Sequence, residues 1–521
     1  MKNISIFLII ICLSISCTKK FVTENQNPNN ISNEMLQQDY NLVGSSFSGL
    51  LYNLCGSQID ENLVQDCYAR HLACPEPYIG GVNNTTYYIT WNSYWDDIYG
   101  GVMAPTKKLI QLSKENNLPL YATWAKFIRI LAMSKLTTFH GPVIYSKYGT
   151  AVSSVPYDKE SDLYNLFFLQ LDTIQTEFTA NKDYKAFARF DPSYKGDMTK
   201  WIKLVNSMRL RLAIRLSKVA PAIAKTQGEK ALADPGGLIV SNGDNFRISL
   251  LGNILPIAMI CFEWDDTSMD AAMESFLVGL KDGRIGQLFS PAADNTLYPE
   301  HPDYPYKGVR SGAFLATKDQ RVPYSKIAES FKTVTSRRYM TAAEVHFLKA
   351  EASLRGWNGA GDAKTNYENG VKSSFEDWGA TGVDAYLANS TNKPIDYIDP
   401  LEVRNSFKTR SSITVAWNEA DGKELKLEKI LTQKWIDGVS NSLEAWVDFR
   451  RTGYPKLPYN ARNDSNVEWG IIASDDFIKR MPFTNGERSG NAKAVAEATT
   501  YLGGPDKIST RLWWDTGGPN F

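Results

Sequence analysis

RYMTAAEVHFLKAEASLRGWNGAGDAKTNYENGVKSSFEDWG, residues Arg338 to Gly379, decides the reading of this chain. In its first arm Met340, Ala343, Phe347, Ala350 and Leu354 recur at three- and four-residue steps, and Val345, Leu348 and Ala352 form a second apolar stripe beside them. The spacing predicts a helix with neighbours on two sides. The glycines of GWNGAG end that helix, and Asp362 stands where a carboxylate caps the next one. There Tyr367, Val371, Ser374, Phe375 and Trp378 share a face, and Gly370 allows a close backbone approach. Two amphipathic helices joined by a short turn cannot bury both faces alone, so further hairpins must stack on this one, as in tetratricopeptide-like arrays.

The flanking sequence supplies them. Trp91, Tyr94, Trp95, Ile98 and Tyr99 start one long helix, and the stretch from Tyr121 to Leu136, with Trp124, Phe127, Ile128 and Leu131, reads as its partner. Aromatic stripes at helical spacing are more often core than sugar platform, and these tryptophans are read as core. VPYDKESDLYNLFFLQLDTI (155–174) and WIKLVNSMRLRLAIRLSKVAP (201–221) give a second pair, in which Arg209, Arg211 and Arg215 read as solvated arms and ion pairs rather than an anion patch. LEKILTQKWIDGVSNSLEAWVDFRRTGYPKL (427–457) opens a fourth. The expected hairpins span about 87–138, 160–218, 338–379 and 424–450. Between residues 234 and 337 helical periodicity is scarce apart from SMDAAMESFLVGL, and the chain is rich in Pro, Gly, Asn, Asp and aromatics; loops this long in a packed protein are usually functional or stabilised by packing on a scaffold. The fold class is therefore mainly α, with about four hairpins and a loop-rich lobe.

Composition narrows the function. Acidic and basic residues balance at 57 each, which argues against an electrostatic nucleic-acid binder. No GxSxG, P-loop, HExxH, dinucleotide fingerprint or EF-hand loop occurs, so no enzyme, cofactor or metal site is expected. Cys67, His71 and Cys74 sit at helical spacing, yet the paired short spacings of a structural zinc site are missing. Together with Cys55 and Cys261 they are read as buried thiols or one local disulfide. The start, MKNISIFLIIICLSISC, reads as an export signal over residues 1–16, too short in its apolar run to span a membrane, with Cys17 as the residue to be lipidated. Residues 17–521 are then one domain.

Several blocks carry a resemblance. T-x-A-E-V-x-F-L-x-A-E-A-x-x-R-G-W from Thr341, W-x-K-x-x-N-S-x-R-L-R-x-A-x-R from Trp201, E-A-W-x-D-x-R-R-T-G-Y-P-x-L from Glu444, and RMPFTNGERSGN with RLWWD near the end are similar, in order, to the SusD/RagB family of outer-membrane nutrient-binding lipoproteins. FHGPVIYSKYG (139–149) matches the family only in part. The resemblance implies a lipid-anchored protein of the outer membrane, facing the exterior, that captures oligosaccharides and passes them to a SusC-like TonB-dependent transporter. Oligopeptide capture by the same system, or a tetratricopeptide-like assembly scaffold, stands as the alternative. It also implies a ligand surface built from the loop ahead of the first hairpin and the insertion before the third, here about 67–88 and 260–306. Within these, Trp264 ranks first because Glu263, Asp265 and Asp266 flank it, and a tryptophan so flanked is poorly suited to full burial. Tyr78, Tyr304 and Tyr306 stand on Pro- or Gly-fixed loops, and Asn83 and Asn84 offer amide groups to sugar hydroxyls. For each aromatic a second reading stays open: that it only pins its loop to the scaffold.

Overall fold

Helical hairpins carry the fold. The segment Tyr94–Ile98 passes through a π-helical turn, Tyr99–Met103, into α1 (Ala104–Glu115), and α2 (Pro119–His140) returns against it. α3 (Glu160–Ala180) pairs with α4 (Met198–Arg215), and α5 (Pro221–Ala233) folds back on α4. The loop-rich part holds α6 (Ala271–Gly279). Then α7 (Ala342–Leu354) pairs with α8 (Ala363–Trp378), and α9 (Lys423–Asp437) with α10 (Ser442–Thr452). The computed structural model describes residues 40–74, 82–92, 94–293, 305–315, 317–321 and 323–521. Residues 46–521 form one unit and 1–45 another, whose described part is the short helix Asn41–Gly44. Among the described residues no helix is long and apolar enough to cross a membrane.

Local chemistry sets the α7–α8 hairpin. The Thr341 hydroxyl accepts from the Glu344 N–H at 3.2 Å, and Asp362 Oδ1 accepts from the Thr365 N–H at 2.7 Å, so each helix has a side-chain cap. Phe347 is fully buried against α8, where a Cβ on Gly370 would lie 2.5 Å from its ring. Only glycine admits the ring there. The helix does not begin at Arg338, as the stripe from Met340 implied. Ser336–Met340 is instead a strand, β4, and the Thr341 cap starts α7 only after it. Of the other strands, β1 is Leu72–Ala73, β2 is Phe246–Ser249 and β3 is Ser268–Met269; β2 pairs antiparallel with β4, and β1 with β3. The Phe246–Met340 and Ser249–Ser336 pairing satisfies backbone groups that a helical start would have left open.

Of the tryptophans read as core, Trp95 and Trp124 are core, while Trp91 is half-buried in the loop ahead of the helix it was expected to start. Trp95 is 2% exposed and Trp124 fully buried, its ring stacked on Phe187 at 3.7 Å with Trp201 edge-on at 6.4 Å. The arginines of α4 correct the expectation of solvated arms. Arg209, Arg211 and Arg215 are buried because α3, α5, α7 and α10 surround the helix. Their charges are paired: Arg209 with Asp172 at 2.6 Å, Arg211 with Glu344 at 2.6 Å and Arg215 with Glu444 at 2.7 Å. From Glu344 the alternation continues through Lys434 (3.6 Å), Asp448 (2.7 Å), Arg451 (2.9 Å), Glu351 (2.6 Å) and Arg355 (2.7 Å). This spine of opposite charges ties α4, α7, α9 and α10 together. All but the half-buried Arg355 at its end are buried, so these depend on their neighbours for solvation that water no longer supplies.

Candidate ligand-binding face

The loops ahead of α1 and before α7 are distant in sequence and meet in a small sheet. Leu72 pairs with Met269 and Ala73 with Ser268, antiparallel. Val309 joins the same strand in parallel, with its N–H on Met269 O at 2.7 Å and the Ala271 N–H on Val309 O at 2.9 Å. Ser325 closes the platform: the Met269 N–H donates to its carbonyl at 2.8 Å, and its own N–H donates to Lys307 O at 2.7 Å. Gly308 is required here, since a Cβ would sit 2.5 Å from Asp270 O. The Tyr397 hydroxyl lies 2.6 Å from Gly308 O and 2.9 Å from Asp399, which also accepts from Tyr324 at 2.9 Å. Ala73, Val309 and Tyr324 form an apolar cluster beneath, with Ala313 and Leu315 against it.

Buried polar groups lock the platform to the helices. Asp270 caps α6 through the Ala272 N–H at 2.8 Å and accepts from the Ser311 hydroxyl at 2.5 Å; burial pushes its carboxyl up to about 6. Glu274 on α6 holds Lys307 at 3.0 Å and the Gly308 N–H at 2.8 Å. On the other side His71 Nε2 donates to Trp435 O at 2.8 Å, so Nδ1, 2.7 Å from Ser442, is the acceptor. Ser442 has one proton and gives it to His71, and therefore takes one from Asp66 at 2.5 Å. Burial agrees: it raises Asp66 to about 7 and depresses His71 to about 3. This chain ties the stem of the first loop to α9 and α10.

Both His71 nitrogens are engaged, Cys67 Sγ donates to Asn62 O at 2.6 Å, Cys55, Cys67 and Cys261 are free, buried thiols, and Cys74 is buried too. Among the described residues no cluster of His, Cys, Asp and Glu is arranged to hold a metal.

Trp264 stands out from the lobe. It follows the π-helical turn Met259–Glu263, is 42% exposed, and precedes Asp265, whose φ of 56° turns the chain back sharply. Lys326 pairs with Asp265 at 2.5 Å and fixes that turn. A large flat ring offered to solvent beside carboxylates has the chemistry to stack on the C–H face of a sugar. Tyr306 is half-buried, with its hydroxyl 3.2 Å from the place of a Cβ on Gly286, and burial raises its phenol. That hydroxyl lies beside the short helix Ile285–Leu288.

Asn83 and Asn84 are engaged within their own loop. Both are buried, Asn83 capping the turn through the Thr85 N–H at 2.8 Å, and Asn84 bonding the Thr90 N–H at 2.7 Å and Trp91 O at 2.8 Å. A loop that must return tightly to the scaffold leaves backbone groups open, and these amides close them. Tyr78, Tyr304 and Cys17 lie outside the described residues. The stems of the loops that carry the two tyrosines are on the platform: Thr85 Oγ1 donates to Cys74 O at 3.2 Å, and the Ala292 N–H donates to Pro305 O at 2.7 Å. Sequence reasoning missed Asp270, Glu274 and Lys307; an acid before an apolar helix signalled the Asp270 cap, but nothing local signalled the Glu274–Lys307 pair.

The family model described as SusD-like, SusD and RagB outer membrane lipoprotein, matches residues 23–515. No curated protein matches. Among solved structures, a chitin-binding SusD homolog from Flavobacterium johnsoniae is similar at 36% identity and a TM-score of 0.87, covering 92% of this chain and 100% of that one. A SusD homolog from Bacteroides uniformis is 35% identical, with a TM-score of 0.83 over 91% of this chain and 99% of that one. One from Bacteroides vulgatus is 31% identical, with a TM-score of 0.85 over 93% and 99%.

Proposed function

This chain belongs to the SusD-like family of outer-membrane lipoproteins, and from that premise we propose that its loop-bearing face captures oligosaccharides for import. The observation that carries the reading is Trp264, an exposed ring held by a fixed turn on the lobe whose platform gathers both long loops. Binding needs no catalytic group, and the buried carboxylates of the platform, Asp270 and Glu274, are occupied in holding backbone. The similarity to a chitin-binding homolog makes chitin oligosaccharides the first ligand to try. Delivery to a SusC-like TonB-dependent barrel follows from the same family reading, as does lipid attachment at Cys17.

The test is calorimetric titration with chitin oligosaccharides, maltooligosaccharides and short peptides. Saturable binding of a glycan supports the proposal. Binding of peptides alone moves the function to oligopeptide capture, and binding of none, with no barrel co-purifying from membranes, favours an assembly scaffold.

A further inference from the structure

We propose a second binding site, for an oxyanion carried on a compact body, in a cavity where the ends of three hairpins meet. The cavity holds about 570 Å³. Lys218, Lys225, Arg355 and Lys423 line it, with Trp357 and Phe521 as its apolar walls, and no aspartate or glutamate does. None of these residues belongs to the Trp264 face, so the two sites are independent.

The carboxylates near these cations stand outside the cavity lining. Glu351 is shared between Arg355 at 2.7 Å and Arg451 at 2.6 Å, and Asp448 also pairs with Arg451 at 2.9 Å. Glu229 reaches Lys225 only at 3.7 Å, and Glu424 faces Asn520 at 2.9 Å. At the floor the Lys218 ammonium donates to three uncharged oxygens: Arg451 O at 2.8 Å, Asn520 Oδ1 at 3.2 Å and Gly517 O. Burial first, then the nearby Arg451, lower its pKa to about 8, while Asp515 acts the other way. An arriving anion favours the charged ammonium.

Two helices add to the field. α5 begins at Pro221 and α9 at Lys423, both residues line the cavity, and neither helix has a side-chain cap. Their open N–H groups and positive dipole ends favour negative charge. The apolar part is equally specific: the Phe521 ring lies 5.0 Å from the Arg355 guanidinium and 5.3 Å from the Lys423 ammonium, so charge and a flat face are offered together. A space of this size takes a body of monosaccharide dimensions bearing a carboxylate, sulfate or phosphate. Such a group has two sources for a protein seated on the outer membrane: an acidic sugar residue, or the phosphate of a lipid headgroup.

The experiment titrates the full chain with glucuronate, with glucose as the neutral control, at about 20 mM salt, where charge is little screened. In parallel, flotation is measured with vesicles of phosphatidylethanolamine with and without phosphatidylglycerol. The rim variant Lys225→Glu/Lys423→Glu reverses two charges on exposed side chains, and Lys218→Met removes the floor ammonium. We expect saturable glucuronate binding without glucose binding, weakened about tenfold or more by the rim variant at unchanged melting temperature, and weakened again by raising salt. Binding confined to phosphatidylglycerol vesicles, with the same dependence on the variants, assigns the site to lipid phosphate. Binding of neither probe, equal binding of glucose, or binding that both variants leave intact overturns the proposal. Chitin oligosaccharide binding at the Trp264 face is read separately and stands or falls without it.

Discussion

Glu351→Gln tests whether the buried charge spine, rather than apolar packing alone, joins the hairpins. The substitution keeps the shape of the side chain and removes one charge from between two guanidiniums. Arg451 is fully buried and holds Glu351 through both carboxylate oxygens, at 2.6 and 2.7 Å, keeping afterwards one carboxylate, Asp448 at 2.9 Å, and the Ser217 hydroxyl at 3.3 Å. At a separation of about 4 Å and an effective dielectric of about 20, one such attraction is worth about 4 kcal/mol. Breaking a buried pair typically costs about 3–5 kcal/mol, because the surviving charge stays in a place that water does not reach. Spread over the unfolding entropy of so long a chain, this lowers the melting temperature by about 4 °C, at about 1 °C per kcal/mol. Differential scanning calorimetry measures it, and the double variant Glu351→Leu/Arg451→Met supplies the decisive comparison. With both charges gone no orphan remains in that pair, and Lys434 still holds Asp448 at 2.7 Å, so the double variant should melt above the single one. A single variant within 1 °C of the parent, or a double variant lower than the single, refutes the reasoning.

Trp264→Ala should weaken oligosaccharide binding by about 1–3 kcal/mol with little change in melting, since the ring is largely outside the core; a fall in melting with affinity intact makes it a loop pin instead. Cys17→Ala should shift the protein from the membrane fraction to the soluble fraction, and retention in the membrane rules out lipid at that residue. His140 offers a pH prediction: burial, then Arg480, depresses its imidazole from 6.5 to about 3, while Nδ1 donates to Pro482 O at 2.9 Å. The unfolded chain takes up a proton below 6.5 that the folded chain refuses until about 3, so the stability is present above 6.5 and lost as pH falls through that window. His140→Gln should flatten the acid side of the stability curve by up to about 1.4 kcal/mol per pH unit, read from urea midpoints at several pH values between those limits.

The sequence by itself determined the hairpins, because helix formation and amphipathic stacking are written in local spacing. Ala343, Phe347 and Ala350 fall on one face whatever lies opposite, Asp362 caps its own helix, and Gly370 announces a close neighbour without naming Phe347. Ordered motif blocks fixed the family for the same reason. Only the tertiary structure decided where the charges went. Arg211 and Glu344 are 133 residues apart, Arg215 and Glu444 are 229 apart, and a pattern read along the chain gives a helical arginine no cause to be buried. The site followed the same division. Acid neighbours marked Trp264 as exposed, but the joining of Leu72 to Met269, and the use of Asn83 and Asn84 to close their own loop, depend on strands and turns that exist only once distant segments have met. Burial converts a polar side chain from a ligand group into a structural one, and burial is a property of the folded whole.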